Sequence, residues 1–115
     1  MAGETWLMEL KSRKHPNLTV LALSGRFDSS ESARMNAWFE EQTTANVVIN
    51  LAEVNFVDSS ALAVMVKAMK RCRGQKGELV LCNLQQTVRV IFELTRLDKA
   101  ISIYDTEAEA IKAVG

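Results

Sequence analysis

The sequence predicts an α/β fold: a mixed β-sheet of about five strands with about four α-helices packed against it. Three observations lead there. Apolar residues alternate with polar ones in a first short segment, and a turn signal then leads into a second strand-like segment, which marks an antiparallel hairpin. Val47-Val48-Ile49 is an unbroken β-branched run, expected of a strand covered on both faces. Helical and strand patterns then take turns to the C-terminus, in the order β-β-α-β-α-β-α-β-α. That alternation builds βαβ units, so the rest of the sheet is expected to be mostly parallel.

Each element has its own signal. Thr5 to Lys11 sets Trp6, Met8 and Leu10 against polar neighbours, a half-buried strand. Lys14-His15-Pro16-Asn17 is a turn signal, and Leu18 to Ser24 is the second strand, ending at Gly25. Ser29 to Gln42 reads as a helix capped by Ser29 or Ser30, with Ala33, Met35, Trp38 and Phe39 at apolar positions. After the strand at Val47-Val48-Ile49, Ser60 to Arg73 is a second helix. It ends at Gly74, with Lys70, Arg71 and Arg73 near the negative end of its dipole. Glu78 to Cys82 is the next strand. Gln85 to Thr95 is the third helix, with Val88, Ile91 and Phe92 on one face. Ile101 to Tyr104 is a short last strand. Thr106 and Glu109 have capping-box spacing before Ala110, Ile111 and Val114, which predicts a terminal helix. No internal repeat or low-complexity stretch stands out.

The bulk numbers narrow the function. A chain of 115 residues, 48% hydrophobic, fits one compact domain over residues 1–115. Its formal net charge is zero, which argues against a basic nucleic-acid footprint and against a polybasic membrane binder. The longest apolar runs, such as Ala61 to Val66, are too short to span a bilayer. The N-terminal residues lack the regions of a signal peptide, so a cytoplasmic location is expected. Cys72 and Cys82 are then expected to be reduced structural thiols. No cofactor or metal is expected.

The richest chemistry lies in Val57-Asp58-Ser59-Ser60-Ala61-Leu62, where strand and loop give way to helix. A helix start offers unpaired N–H groups and the positive end of the dipole, so Asp58 suits a cap. A phosphorylated serine there would find local donors, yet it would add roughly −1.5 to −2 charges to one surface spot. On a wheel of about 100° per residue, Leu62, Met65, Val66 and Met69 form the buried stripe. Ser60, Val64, Lys67 and Arg71 fall near the opposite pole. The wheel therefore predicts that Ser60 heads an exposed row, while Ser59 turns toward the core. Ser59 is then the structural hydroxyl and Ser60 the one a kinase reaches. Val64, Lys67, Ala68 and Arg71 form the candidate partner surface.

These segments make the chain recognisable. It resembles STAS domains, and within them the bacterial anti-sigma factor antagonists, over nearly its whole length. Leu23-Ser24-Gly25-Arg26-Phe27-Asp28 is similar to the family's strand with its Gly-x-Leu/Phe-Asp turn, and Asp28 joins the expected partner surface. Val48-Ile49-Asn50-Leu51 with Val54-Asn55-Phe56-Val57-Asp58-Ser59-Ser60 is similar to the central strand and phosphorylation loop. Gly77 to Asn83, Val88 to Leu97 and Tyr104 to Ala110 match later segments.

The resemblance implies a mechanism. The unmodified antagonist binds an anti-sigma factor that is also a serine kinase of the histidine-kinase-like ATPase fold, and the sigma factor is released. The kinase phosphorylates the second serine, here Ser60, and the complex separates. A phosphoserine phosphatase resets the switch. The antagonist itself is expected to be a monomer or weak homodimer. Three positions depart from the family pattern: Ala61 and Ala63 replace usual glycines, and Arg96 replaces a frequent glycine. Alanine is the better helix former, so the junction after Ser60 is expected to be stiffer.

Rival readings have less behind them. A serine enzyme needs a base, and the only histidine is His15, in the predicted turn. Neither serine has a Gly-x-Ser-x-Gly elbow, and no Gly-rich phosphate loop is present. A receiver domain phosphorylated on Asp58 would need an acidic pair after the first strand, where Lys11-Ser12-Arg13-Lys14 stands instead. The alternative within the family is a constitutive interaction module of a lipid-transport or stress-signalling complex, without phosphoswitching.

Overall fold

The computed structural model describes residues 8–115. Thr5 and Trp6 of the expected first strand lie outside the described residues. The first described strand, β1 (Glu9–His15), runs antiparallel to β2 (Leu18–Phe27). A 3-10 turn (Ser29–Glu31) leads into α1 (Ser32–Glu40), followed by β3 (Asn46–Val57) and α2 (Ser59–Gly74). Then come β4 (Leu79–Cys82), α3 (Gln86–Leu94), β5 (Ile103–Tyr104) and α4 (Glu107–Val114). The five strands form one sheet in the order β1-β2-β3-β4-β5, parallel from β2 onward. This is the predicted mixed sheet with four helices.

The sheet is covered on both sides. Successive side chains of a strand point to opposite faces. Leu21, Val47, Ile49, Leu79 and Leu81 therefore pack with Met35, Phe39, Leu62, Met65, Val88 and Phe92 of the first three helices. Leu18, Val20, Val48, Val80 and Cys82 pack on the other face with Ala110, Ile111 and Val114 of α4. The run Val47-Val48-Ile49 thus feeds two cores at once, each fully buried side chain contributing about 1.5–3 kcal/mol. The capping box of α4 forms as its spacing predicts, with the Glu109 N–H donating to the Thr106 hydroxyl at 3.2 Å. Glu107 accepts from the Asn50 amide at 2.9 Å and pairs with Arg13, tying α4 to the sheet.

Several expected boundaries move. β1 continues past Lys11 to His15, and only Pro16-Asn17 turns, so His15 closes a strand instead of sitting in the turn. An edge strand with exposed Lys11, Arg13 and Lys14 carries no apolar pattern to mark its end. β2 passes through Gly25, whose φ of 108° only glycine adopts readily, and the pairing register shifts there. β3 reaches Val57 as strand with two register shifts against β2, leaving Val54 and Val57 buried and Glu53 and Asn55 exposed.

The start of α1 also differs. Its lead-in is capped by Asp28, not by Ser29 or Ser30. The tighter 3-10 turn shifts the helical phase, leaving Ala33 exposed and Trp38 half-buried while Met35 and Phe39 carry the burial. Glu31, to which the pattern assigns no role, is buried. It accepts from the Met8 N–H at 3.0 Å and pairs with Arg34 at 3.0 Å. Arg34 in turn donates to the Met8 carbonyl at 2.6 Å, so both main-chain polar groups of Met8 are satisfied. At the other helix, Gly74 is the last residue of α2 and does not follow it. Cys72 and Cys82 are free and buried, and burial pushes their thiols up to about 11 and about 12. Among the described residues no helix is long and apolar enough to cross a membrane.

Candidate functional site

β2 and β3 end side by side, with Phe27 opposite Val57. Each is followed at once by the same three residues, Asp28-Ser29-Ser30 and Asp58-Ser59-Ser60. The two aspartates share an extended backbone, with φ −124° and ψ −172° at Asp28 and φ −116° and ψ −175° at Asp58. Extended backbone followed by helix is what a capping residue needs.

Asp58 uses both carboxylate oxygens. Oδ1 accepts from the Ala61 N–H at 3.0 Å and from the Ser60 hydroxyl at 2.6 Å. Oδ2 accepts from the Ser29 N–H at 3.2 Å, which straps the two strand ends together. The Ser60 hydroxyl is the main reason that the carboxyl sits below its ordinary value of 3.8. Burial opposes this, and the N–H groups of Ala61, Ser29 and Ser60 add to it. Asp28 repeats the pattern through one oxygen: Oδ1 accepts from the Ser30 N–H at 3.1 Å and the Ser30 hydroxyl at 2.6 Å. The Arg26 guanidinium lies 3.9 Å from Asp28 Oδ2 and 3.9 Å from the centre of the Phe56 ring.

The structure reverses the expected exposure of the two serines. Ser59 is exposed and Ser60 half-buried. Ser59 is the first residue of α2, past the end of β3, where the helical direction no longer decides burial. Ser60 turns its hydroxyl back to Asp58. Ala61, the next residue, is fully buried.

The expected exposed row is corrected too. Val64 and Ala68 are only 4% and 3% exposed, because α1 packs over that side of α2. Two faces of α2 are therefore covered, one by the sheet and one by α1. Between the helices runs a groove of about 240 Å³, lined by Ser32, Asn36, Ser60, Ala63, Val64 and Lys67. Lys67 remains exposed at its edge, and Arg71 is exposed one turn further along the same helix pair. The Lys67 Nζ stands 3.9 Å from the Glu40 carboxylate, and Arg71 donates to the Glu40 carbonyl at 2.8 Å. Helical periodicity within α2 misses Ser32 and Asn36, because they reach the site from α1. Sequence reading takes Ser29 and Ser30 only as caps of the first helix; the repeated Asp-Ser-Ser tripeptide is the signal that would have tied them to this site. Among the described residues, no three His, Cys, Asp or Glu side chains are grouped to hold a metal ion.

Comparison with known proteins bears on this arrangement. The STAS domain family model matches residues 9–110. The anti-sigma-B factor antagonist of Listeria monocytogenes is 31% identical over 105 residues, covering 89% of this chain and 91% of the relative. The anti-sigma F factor antagonist of Paenibacillus polymyxa is 25% identical over 108 residues, covering 90% and 92%. Among solved structures, the Bacillus anti-sigma factor antagonist SpoIIAA in its unphosphorylated form superposes with a TM-score of 0.78 at 22% identity, covering 91% of this chain and 95% of that one. Its phosphorylated form gives 0.67 at 21% identity, covering 91% and 98%. At such identities the structural likeness is one of fold.

Proposed function

This chain belongs to the STAS domain family, and from that premise we propose that it is an anti-sigma factor antagonist switched by phosphate on Ser60. Its unphosphorylated form binds an anti-sigma factor that is also a serine kinase of the histidine-kinase-like ATPase fold. Binding frees the sigma factor, transfer of phosphate to Ser60 ends the complex, and a phosphoserine phosphatase restores it. The protein works in the cytoplasm as a binding regulator and catalyses no reaction itself. The exposed Lys67 and Arg71, the lip of the groove and Asp28 meet the partner, while Val64 and Ala68 hold α2 against α1 beneath it.

One observation carries this reading: the 2.6 Å hydrogen bond from the Ser60 hydroxyl to Asp58 Oδ1 at the head of α2. Phosphorylation removes the proton that Asp58 accepts and sets a dianion beside a carboxylate already held in its charged form. Two unit charges about 4 Å apart interact with about 1 kcal/mol in water and about 4 kcal/mol at a protein surface. Even a change of about 2.8 kcal/mol in binding lowers affinity about a hundredfold.

The test combines phosphate mapping and affinity. Incubation with ATP and the kinase recovered from the native cell on the immobilised chain should place phosphate on Ser60 and not on Ser59. By calorimetry without ATP, Ser60→Ala should bind that kinase like wild type, and Ser60→Asp at least about tenfold more weakly. Wild-type affinity in Ser60→Asp would sink the switch and favour the constitutive interaction module.

A further inference from the structure

We propose that Ser30 is a second phosphoacceptor, modified by an ATP-dependent serine kinase docked at the same rim of the sheet. The inference rests on the reading of Ser60 above. A helix cap requires only the Asp28 carboxylate and a backbone N–H. The Ser30 hydroxyl is surplus to that cap, as the Ser60 hydroxyl is surplus to the cap at Asp58. Both surplus hydroxyls bond the Oδ1 of an aspartate two residues earlier, at the same distance of 2.6 Å.

Position strengthens the parallel. Phe27 and Val57 are partners in neighbouring parallel strands, so the two motifs stand about one strand spacing apart, about 4.8 Å. Both hydroxyls therefore follow strand ends that are immediate neighbours on one rim of the sheet. Ser30 is also the more accessible of the two: it is exposed, whereas Ser60 is half-buried beside the groove.

In the transfer, Ser30 Oγ attacks the γ-phosphorus of ATP. The Oγ–P bond forms as the bond from that phosphorus to the β,γ-bridging oxygen breaks, and ADP leaves with the electron pair. The hydroxyl proton passes to Asp28 Oδ1, its hydrogen-bond acceptor, and on to solvent. The new charge lands beside Asp28, where Arg26 offsets part of it. Through the Ser29 N–H it also adjoins Asp58, so the two modifications act on one surface. Ser60→Ala therefore still has a hydroxyl through which prolonged kinase treatment weakens binding.

Trypsin separates the two sites. Ser29, Ser30 and Ser32 fall on the peptide Phe27–Arg34, and Ser60 on Met35–Lys67. Wild type, Ser60→Ala and Ser30→Ala are each incubated with ATP and the recovered kinase, after circular dichroism has shown that each variant is folded. The expected result is phosphate at Ser30 in wild type and in Ser60→Ala, and its complete loss from Phe27–Arg34 in Ser30→Ala. Phosphate confined to Met35–Lys67, with none on Ser60→Ala, overturns the second site and leaves the Ser60 reading standing. Phosphate on Ser29 or Ser32 instead overturns the assignment to Ser30. Phosphate at Ser30 with none at Ser60 supports this inference and overturns the Ser60 reading. Phosphate on neither peptide overturns both.

Discussion

Replacing Asp58 with Ala removes the cap of α2, the acceptor for the Ser60 hydroxyl and the strap to Ser29 in one step. Loss of the cap alone is expected to cost about 1–2 kcal/mol, read as a lower urea midpoint with an unchanged slope. The charge has a pH signature. Because the folded carboxyl lies below 3.8, its stabilisation is complete above that pH and is lost as pH falls through the lower folded value. Wild type should therefore lose stability more steeply than Asp58→Asn below pH 3.8, as urea midpoints on an acid series will show. Arg96 is a second single-residue case. It stands where the resemblance implies a glycine and adopts φ 64°, a left-handed backbone that a side chain disfavours by about 1 kcal/mol. Arg96→Gly relieves that strain, partly offset by glycine's chain entropy, for an expected net gain of about 0.5 kcal/mol by thermal melting. The missing glycine is legible in the sequence. The left-handed turn at Lys76 is not, because lysine gives no sign of it, whereas Asn83 is of a type that tolerates this backbone.

Among the elements, α2 shows where sequence reading stops. The wheel finds the stripe that faces the sheet: Leu62, Met65 and Met69 are buried as it predicts, and Val66 is half-buried at its edge. It cannot find a second covered face, because the covering helix α1 lies at residues 32–40 and nothing in α2 records its arrival. This is why Val64 and Ala68 looked like surface. The distinction is measurable. Val64→Ala should cost about 1–3 kcal/mol of stability through the cavity it leaves. Lys67→Ala and Arg71→Ala should stay within about 0.5 kcal/mol of wild type in urea unfolding, while weakening affinity for the partner. Equal stability for all three variants would contradict the packing. The same blindness hides Glu31, whose burial depends on Met8 arriving from another strand end. The capping box of α4, by contrast, is wholly local and was readable from two residues.

At the scale of the molecule, the hairpin and the alternation after it were enough for the fold, since right-handed crossovers leave few ways to wind such a chain. The same packing shields both thiols. Cys72 and Cys82 are buried, and burial pushes them to about 11 and about 12, so at neutral pH neither offers a thiolate to solvent. A thiol reagent should label them only as urea unfolds the protein, and labelling within seconds of mixing with native protein would contradict this core. The order of the strands has a further consequence. In a doubly wound sheet the chain reverses direction across the sheet, helices diverge to opposite faces at that point, and a crevice opens for small ligands. Here the described strands follow chain order from one edge to the other, and α1, α2 and α3 share one core. Without a switch point, their starts line up as neighbours along one rim. Such a rim suits a macromolecule that spans several helix starts, so that one altered side chain changes the fit of a whole docked edge.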